Sequence, residues 1–143
     1  MMLDRRNQNG LSPKQIDYCV LVWEVLGGDD VCTLDTTRAS THSSNTHFAQ
    51  ANNRVYLGAD VYPGTGVSPR CSMSVLACLA HELGHASRFK RGYDRPITMP
   101  DKLLDEAEAS LDGSFAPVLN ELDRRTLIED ARDQVERWLI TTT

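Results

Sequence analysis

The chain has 143 residues, which fits one compact domain over residues 1–143, because a single core usually fills about 100 to 200 residues. Hydrophobic residues make up 41% and charged residues 24% of the chain, a balance that excludes disordered and fibrous proteins. The formal net charge of -5 argues against nucleic acid as a main partner, because phosphate backbones attract basic surfaces.

Nothing in the sequence approaches the run of roughly 18 apolar residues that marks a membrane span, and no apolar run follows the basic residues at the start. Four cysteines are present, without a Cys-x-x-Cys pair or a dense disulfide framework. We therefore expect a cytoplasmic protein with reduced thiols and no membrane partner. The cysteines are Cys19, Cys32, Cys71 and Cys78.

The first predicted element is a helix over residues 12–26. Ser12 provides an N-terminal cap, Pro13 suits the first helical position, and Gly27 suits the end. Helical spacing of the apolar residues predicts that one side of this helix faces the core. The residues on that side are Ile16, Cys19, Val20, Trp23 and Leu26.

Short strands and loop are predicted in the middle of the chain. Residues 31–34 form a β-like stretch, and residues 35–53 are rich in small polar side chains without a clear period, which predicts loop or irregular structure. Residues 53–62 alternate between apolar and polar side chains, which is the pattern of a half-buried strand.

Three helices are predicted in the second half of the chain, over residues 73–91, 102–115 and 123–140. Together with the short strands they predict an α+β domain dominated by helix. Two of these helices carry an apolar stripe. The first stripe is Val75, Leu76, Leu79 and Leu83, and the second is Leu127, Ala131, Val135 and Trp138.

Residues 81–85 read His-Glu-Leu-Gly-His, the HExxH pattern, inside a predicted helix. Four residues advance a helix by about 400°, so His81 and His85 project from one face and can bind a single ion. Glu82 lies about 100° around the helix, beside that ion, where it can take a proton from a metal-bound water as the catalytic base. Zinc suits this donor set, because a catalytic zinc ion usually has three protein ligands and one water.

A third protein ligand is needed, since two histidines do not complete a zinc site. Arg88 and Arg91 stand where the metzincin motif HExxHxxGxxH has its glycine and third histidine, which excludes that arrangement. A glutamate on the following helix is the other common solution, and Glu106 and Glu108 are both available there. The competing interpretation of the motif is a surface helix with two incidental histidines.

The HELGH motif, followed by a helix that contains Glu-Ala-Glu-Ala and further small residues, resembles the gluzincin-type zinc metallopeptidases. The short chain is similar to the minimal zincin cores of the ImmA/IrrE and HtpX-like groups, over roughly residues 53–116. The resemblance implies one catalytic zinc ion, a protein or peptide substrate, and a small sheet whose edge strand precedes the HExxH helix. It also implies that the strand at residues 53–62 pairs with an extended peptide; an ordinary sheet strand is the alternative.

The resemblance leaves two candidates for the third ligand. In the ImmA/IrrE and HtpX-like groups the first glutamate of ExEA is the ligand, which corresponds to Glu106. Thermolysin-like enzymes use ExxxD, which would select Glu108 with Asp112.

Physical arguments about the same helix also disagree. Glu108 falls among apolar residues on a helical wheel, so amphipathicity alone turns it inward. Glu106 shares its face with small residues, which would let this helix approach the HExxH helix closely enough for a carboxylate to reach the ion. The apolar neighbours are Leu104, Leu111 and Phe115, and the small ones are Ala109, Ser110 and Gly113. We favour Glu106, with Glu108 as the alternative third ligand.

Other polar residues are weaker candidates. Cys78 lies on the histidine face and could bind the metal as a thiolate, although buried cysteine usually acts as a small apolar residue. A peptidase also needs a donor for the oxyanion, and Tyr93 is the candidate transition-state stabiliser. Arg95, in the same loop, and His42 and His47, in the polar segment upstream, are further candidates. No pattern identifies the substrate-binding residues.

These features predict a zinc-dependent endopeptidase. Because little chain is left outside the catalytic core, we expect a regulatory enzyme with a narrow target range and a possible activating protein partner. The alternatives are a non-proteolytic metal hydrolase and a metal-binding regulatory module without turnover. Glu82 favours an enzyme, because a structural metal site needs no catalytic base. The donor set does not exclude manganese, iron or cobalt.

Overall fold

The computed structural model describes residues 5–93, 96 and 98–143. These residues form an α+β fold of five α-helices and a three-stranded mixed sheet, as the sequence predicts. The helices are α1 (Pro13–Val25), α2 (Pro69–Ser72), α3 (Val75–Lys90), α4 (Asp101–Gly113) and α5 (Glu121–Thr142), and the strands are β1 (Thr33–Asp35), β2 (His47–Ala49) and β3 (Arg54–Tyr56). Within the described residues, no helix combines the length and the apolar character needed to cross a bilayer.

Side-chain caps explain where the helices begin. The Ser12 hydroxyl accepts a hydrogen bond from the Gln15 backbone N–H, and the Gln15 side chain accepts one from the Ser12 N–H, which forms a capping box at the start of α1. The Ser74 hydroxyl caps α3 by accepting a hydrogen bond from the N–H of Ala77, and the Asn120 side chain caps α5. The predicted first helix is confirmed, and the three later ones are confirmed within a few residues.

The sheet differs from the prediction for residues 53–62. Only the first part of that segment is a strand, β3, and a 3-10 helix at Ala59–Val61 follows it. β3 is the central strand, parallel to β1 and antiparallel to β2. The prediction that the strand before the HExxH helix is an edge strand is therefore wrong, because β3 is hydrogen-bonded on both sides. β2, inside the predicted loop 35–53, is an edge strand that packs against α3.

Polar side chains end β3 although the alternating pattern continues. The Thr46 hydroxyl accepts a hydrogen bond from the Gly58 N–H at 2.9 Å and donates one to the Gly58 carbonyl at 3.2 Å. The Asp60 carboxylate accepts one from the Thr46 N–H at 2.5 Å. These side chains occupy the backbone groups that a longer strand pair would use, so the ladder stops.

On α1 and on α5, one residue of the predicted apolar stripe is exposed and another residue of the helix is buried instead. On α1, Cys19 and Val22 are buried, whereas Val20 is 39% exposed. On α5, Gln134 is buried and Val135 is 37% exposed. Each step along a helix turns the side chain by about 100°, so a small rotation of the helix exchanges a buried position for an exposed one.

Glycines allow α3 and α4 to pack at backbone contact. A Cβ atom on Gly84 of α3 would lie 2.2 Å from the carbonyl oxygen of Ala109 on α4. A Cβ atom on Gly113 of α4 would lie 2.5 Å from the carbonyl oxygen of Ala80 on α3. The close approach expected from the small residues of the second helix is therefore present.

Replacing Gly84 by alanine is expected to lower the free energy of unfolding by about 1 to 3 kcal/mol, because the added methyl group would overlap a backbone carbonyl that cannot rotate away. Urea denaturation of the two proteins measures this change. Ser87→Ala, on the same helix, is the control and should change stability little. An unaltered denaturation midpoint in Gly84→Ala would contradict the close helix contact.

Candidate metal centre

Helices α3 and α4 bring together two histidines and one glutamate. The Nε2 atoms of His81 and His85 lie 2.7 and 3.0 Å from the same atom, Oε2 of Glu106. The possible ligand atoms of these three residues lie within 4.8 Å of one another. His81 is buried, and His85 and Glu106 are half-buried. The spacing of the two histidines therefore places them on one face, as predicted, and the structure brings Glu106 to that face.

The alternative third ligand, Glu108, lies elsewhere. Its Oε2 accepts a hydrogen bond from the guanidinium of Arg88 at 2.9 Å. The apolar side of α4 that was expected to turn Glu108 inward is open to solvent, since Leu111 is 43% and Phe115 is 79% exposed. Close packing against α3 orients α4 instead, and this packing directs Glu106 towards the histidines.

The hydrogen bonds of His81 fix which of its nitrogens carries a proton. Nδ1 lies 2.7 Å from the Ser110 hydroxyl, and this hydroxyl donates to Asp130 at 2.6 Å. Asp130 also accepts two hydrogen bonds from Arg70, so it acts only as an acceptor here. Since the single hydroxyl proton of Ser110 goes to Asp130, the Ser110 oxygen must accept from Nδ1–H of His81. The Nε2 lone pair then points towards Glu106, where a metal ion would bind.

His85 lies between two carboxylates. Its Nδ1 is 3.3 Å from Asp105 and its Nε2 is 3.0 Å from Glu106. Burial lowers the pKa of His85, but hydrogen bonds to Asp105 and Glu106 outweigh this effect and raise the pKa to about 10. Burial also raises the pKa of Glu106, and the hydrogen bonds and charges of the two histidines more than offset it, so that this pKa lies well below its usual range.

These contacts fit a divalent cation. The Nε2 atoms of both histidines face the same oxygen of Glu106, so a cation placed between the three side chains would be within reach of three donor atoms. One divalent ion between the three side chains would accept the lone pairs of the two nitrogens and balance the charge of the carboxylate. Asp105 and Ser110 would then hold the Nδ1–H groups of the two metal-binding rings.

Glu82 lies beside this cluster without joining it. Its side chain is buried, and its Oε1 accepts a hydrogen bond from the backbone N–H of Phe48 in β2 at 3.1 Å. Burial raises the pKa of Glu82, and the charges of His81 and His85 act in the opposite direction. A carboxyl group with a raised pKa and a fixed orientation suits transfer of a proton to and from water.

Two cavities meet at the cluster. The strand-side cavity, about 570 Å³, is lined by residues of β2 and its flanks together with Glu82, His85 and Asp105. The helix-side cavity, about 460 Å³, is lined mainly by residues of α2, α4 and α5. The residues that line both are Arg70, Lys102 and Glu106. The candidate metal position therefore borders a groove formed by the two cavities, whose volumes lie in the range of ligand-binding pockets.

The remaining sequence candidates take other positions. Burial raises the pKa of the Cys78 thiol to about 12, so it is not a thiolate, and it is not part of the cluster. Tyr93 is 57% exposed and does not line either cavity. The centroid of its ring lies 5.6 Å from the Cζ atoms of Arg88 and Arg91. His42 is exposed, whereas His47 lines the strand-side cavity. Arg95 lies outside the described residues.

Several residues of the site carry no signal in the sequence. Arg70 and Asp130 lie far apart along the chain and meet only because α2 packs against α5. The N–H of Phe48 belongs to a three-residue strand that is too short to show a period. Asp105 directly precedes Glu106, and this adjacency is the one local feature that could have identified it.

Comparison with known proteins gives no relative of this chain: no protein family, no curated protein and no solved structure matches it.

Proposed function

We propose that the protein is a zinc-dependent peptidase with a minimal zincin core of the gluzincin type. The observation that carries this proposal is the convergence of His81 Nε2, His85 Nε2 and Glu106 Oε2 on one point at the side of an open groove. Glu82, beside that point, gives the arrangement the base that a purely structural metal site does not need.

The residues of the site have separate roles in metal binding and proton transfer. His81, His85 and Glu106 would hold the ion, which when bound polarises a carbonyl group and lowers the pKa of a water. Glu82 would take a proton from the attacking water and pass it to the leaving amine. The N–H of Phe48 keeps the Glu82 carboxylate turned towards the groove.

The edge strand β2 supports a peptide as the substrate. Within the described part of the chain it pairs only with β3, and residues from Asn45 to Phe48 line the strand-side cavity. An extended peptide can lie along this edge strand, where Thr46 and Phe48 already donate their backbone N–H groups to Asp60 and Glu82. This position replaces the predicted one at residues 53–62, where both sides of the strand are occupied.

The proposal is tested by metal analysis combined with a cleavage assay. Purified protein is analysed by plasma mass spectrometry before and after zinc reconstitution and is then incubated with a mixture of peptides of known sequence. We expect one zinc ion per chain, and cleavage that a chelator stops and added zinc restores. No bound metal after reconstitution would contradict the metal centre. If the protein binds zinc but hydrolyses only non-peptide amides or esters, it is another kind of hydrolase. If it binds zinc and shows no turnover, it is a regulatory module.

A further inference from the structure

Arg70 is held rigidly beside the candidate metal position. Its Nε and one terminal nitrogen, Nη2, each donate to the Asp130 carboxylate at 3.1 Å, and Asp130 is almost fully buried. The other edge of the guanidinium, formed by Nη1 and Nη2, makes no hydrogen bond to a described residue. The Glu106 Oε2 atom is 3.7 Å from Nη2, beyond hydrogen-bond distance. Arg70 therefore presents a fixed, unused pair of donors where the two cavities meet.

Lys102 adds a second cation to this place. It precedes Glu106 by four residues on α4, so both side chains lie on one face of the helix. Lys102 lines both cavities, and within the described part of the chain its ammonium group forms no ion pair or hydrogen bond. Its charge is therefore available to a bound molecule.

The acidic groups of the strand-side cavity are already engaged. Glu82 accepts from the N–H of Phe48, Asp105 pairs with His85 and Arg88, and Glu106 contacts both histidines. Among the described residues that line this cavity, Lys102 thus has no charged partner, and Arg70, although paired with Asp130, keeps unused N–H donors. The helix-side cavity differs, because Asp133 also lines it. An anion is favoured at the junction of the cavities and on the strand side.

We propose that Arg70 and Lys102 form a carboxylate-binding subsite, so that the substrate is a peptide with a carboxylate close to the bond that is cleaved. The inference rests on the proposed function. A planar guanidinium with a free edge binds a carboxylate through two parallel hydrogen bonds, and Lys102 contributes a point charge beside it. Because Asp130 already fixes Arg70, little side-chain entropy is lost on binding. The carboxylate belongs either to an acidic side chain or to the end of a peptide chain.

The test compares three short peptides by NMR titration of zinc-loaded Glu82→Gln protein, which is chosen to prevent turnover. The first is acetyl-Ala-Ala-Glu-Ala-Ala-amide, the second has glutamine in place of glutamate, and the third is acetylated penta-alanine with a free carboxyl terminus. At least one carboxylate peptide is expected to bind tenfold or more tightly than the glutamine peptide. Tighter binding of the first indicates an acidic side chain, and tighter binding of the third indicates a chain end.

Substitutions of Lys102 and Arg70 test whether these residues cause the preference for a carboxylate peptide. Lys102→Glu should weaken binding of the carboxylate peptide at least tenfold and leave the affinity for the glutamine peptide unchanged. The variant should fold normally, because the Lys102 side chain has no partner among the described residues. Arg70→Gln should also weaken binding of the carboxylate peptide, and its fold and zinc content are measured because it leaves buried Asp130 without its arginine partner. Arg70→Lys, which keeps the charge next to Asp130, should retain part of the affinity. Arg125→Gln, which alters an exposed arginine on α5, is the control.

The outcomes separate this inference from the proposed function. Equal affinity for the glutamate, glutamine and free-carboxyl peptides would overturn the subsite, and so would a carboxylate preference that survives both Lys102→Glu and Arg70→Gln, since the carboxylate would then bind the zinc itself. Neither result would affect the metal centre. The titration is repeated without zinc. If the protein never binds zinc but still prefers the carboxylate peptide, the subsite is supported and the proposed peptidase function is contradicted.

Discussion

Glu106→Gln is expected to abolish stoichiometric zinc binding, whereas Glu108→Gln should leave it intact. Glu106 places one oxygen 2.7 and 3.0 Å from the two histidine nitrogens, while Glu108 pairs with Arg88. A glutamine amide keeps the size of the side chain but is a much poorer zinc donor than a carboxylate. Changes to groups that only orient zinc ligands already weaken binding by about 10- to 100-fold, so loss of a ligand should exceed this.

The measurement is competition for zinc against a chromophoric chelator, with metal content determined in parallel. Glu108→Gln is a closely matched control, because the chemical change is identical and the position lies half a turn away on α4. Circular dichroism shows whether each variant is folded. His81→Ala and His85→Ala should lose zinc as Glu106→Gln does. If Glu108→Gln loses zinc and Glu106→Gln retains it, the assignment of Glu106 as the third ligand is wrong.

Local features of the sequence predict the part of the site that lies on one helix. His81, Glu82 and His85 belong to a single turn, so their relative positions follow from the geometry of α3 alone. The third ligand needed an argument about packing, and two arguments were available. The small residues predicted a close helix pair, which Gly84 and Gly113 confirm, while the apolar residues predicted the opposite orientation of α4.

Features that depend on tertiary contacts could not be predicted in this way. The end of β3 depends on the side chains of Thr46 and Asp60, which take over backbone hydrogen bonds from a different part of the chain. The bond between Ser110 and Asp130 and the ion pair of Asp130 with Arg70 require α2, α4 and α5 to be assembled first. A polar residue that finds its partner across the fold leaves no periodic pattern in the sequence.

Glu82→Gln is expected to reduce turnover by a factor of about 100 to 10,000 while zinc binding is retained. Glutamine keeps an oxygen that can accept the N–H of Phe48, so the orientation of the side chain should be preserved. What is lost is the ability to take a proton, because an amide is not a base near neutral pH. The measurement is kcat on a peptide identified in the cleavage assay, together with zinc content.

Glu82→Asp gives a second, graded comparison. Aspartate keeps the basic group but shortens the side chain by one methylene, so it should lie further from the water and lose the contact with the Phe48 N–H. We expect turnover between that of the wild type and Glu82→Gln. Full activity in Glu82→Gln would show that another group accepts the proton, and loss of zinc from it would show that Glu82 holds the ion. If both variants bind zinc and turnover falls in the order wild type, Glu82→Asp, Glu82→Gln, Glu82 is the base, and a purely structural metal site is excluded.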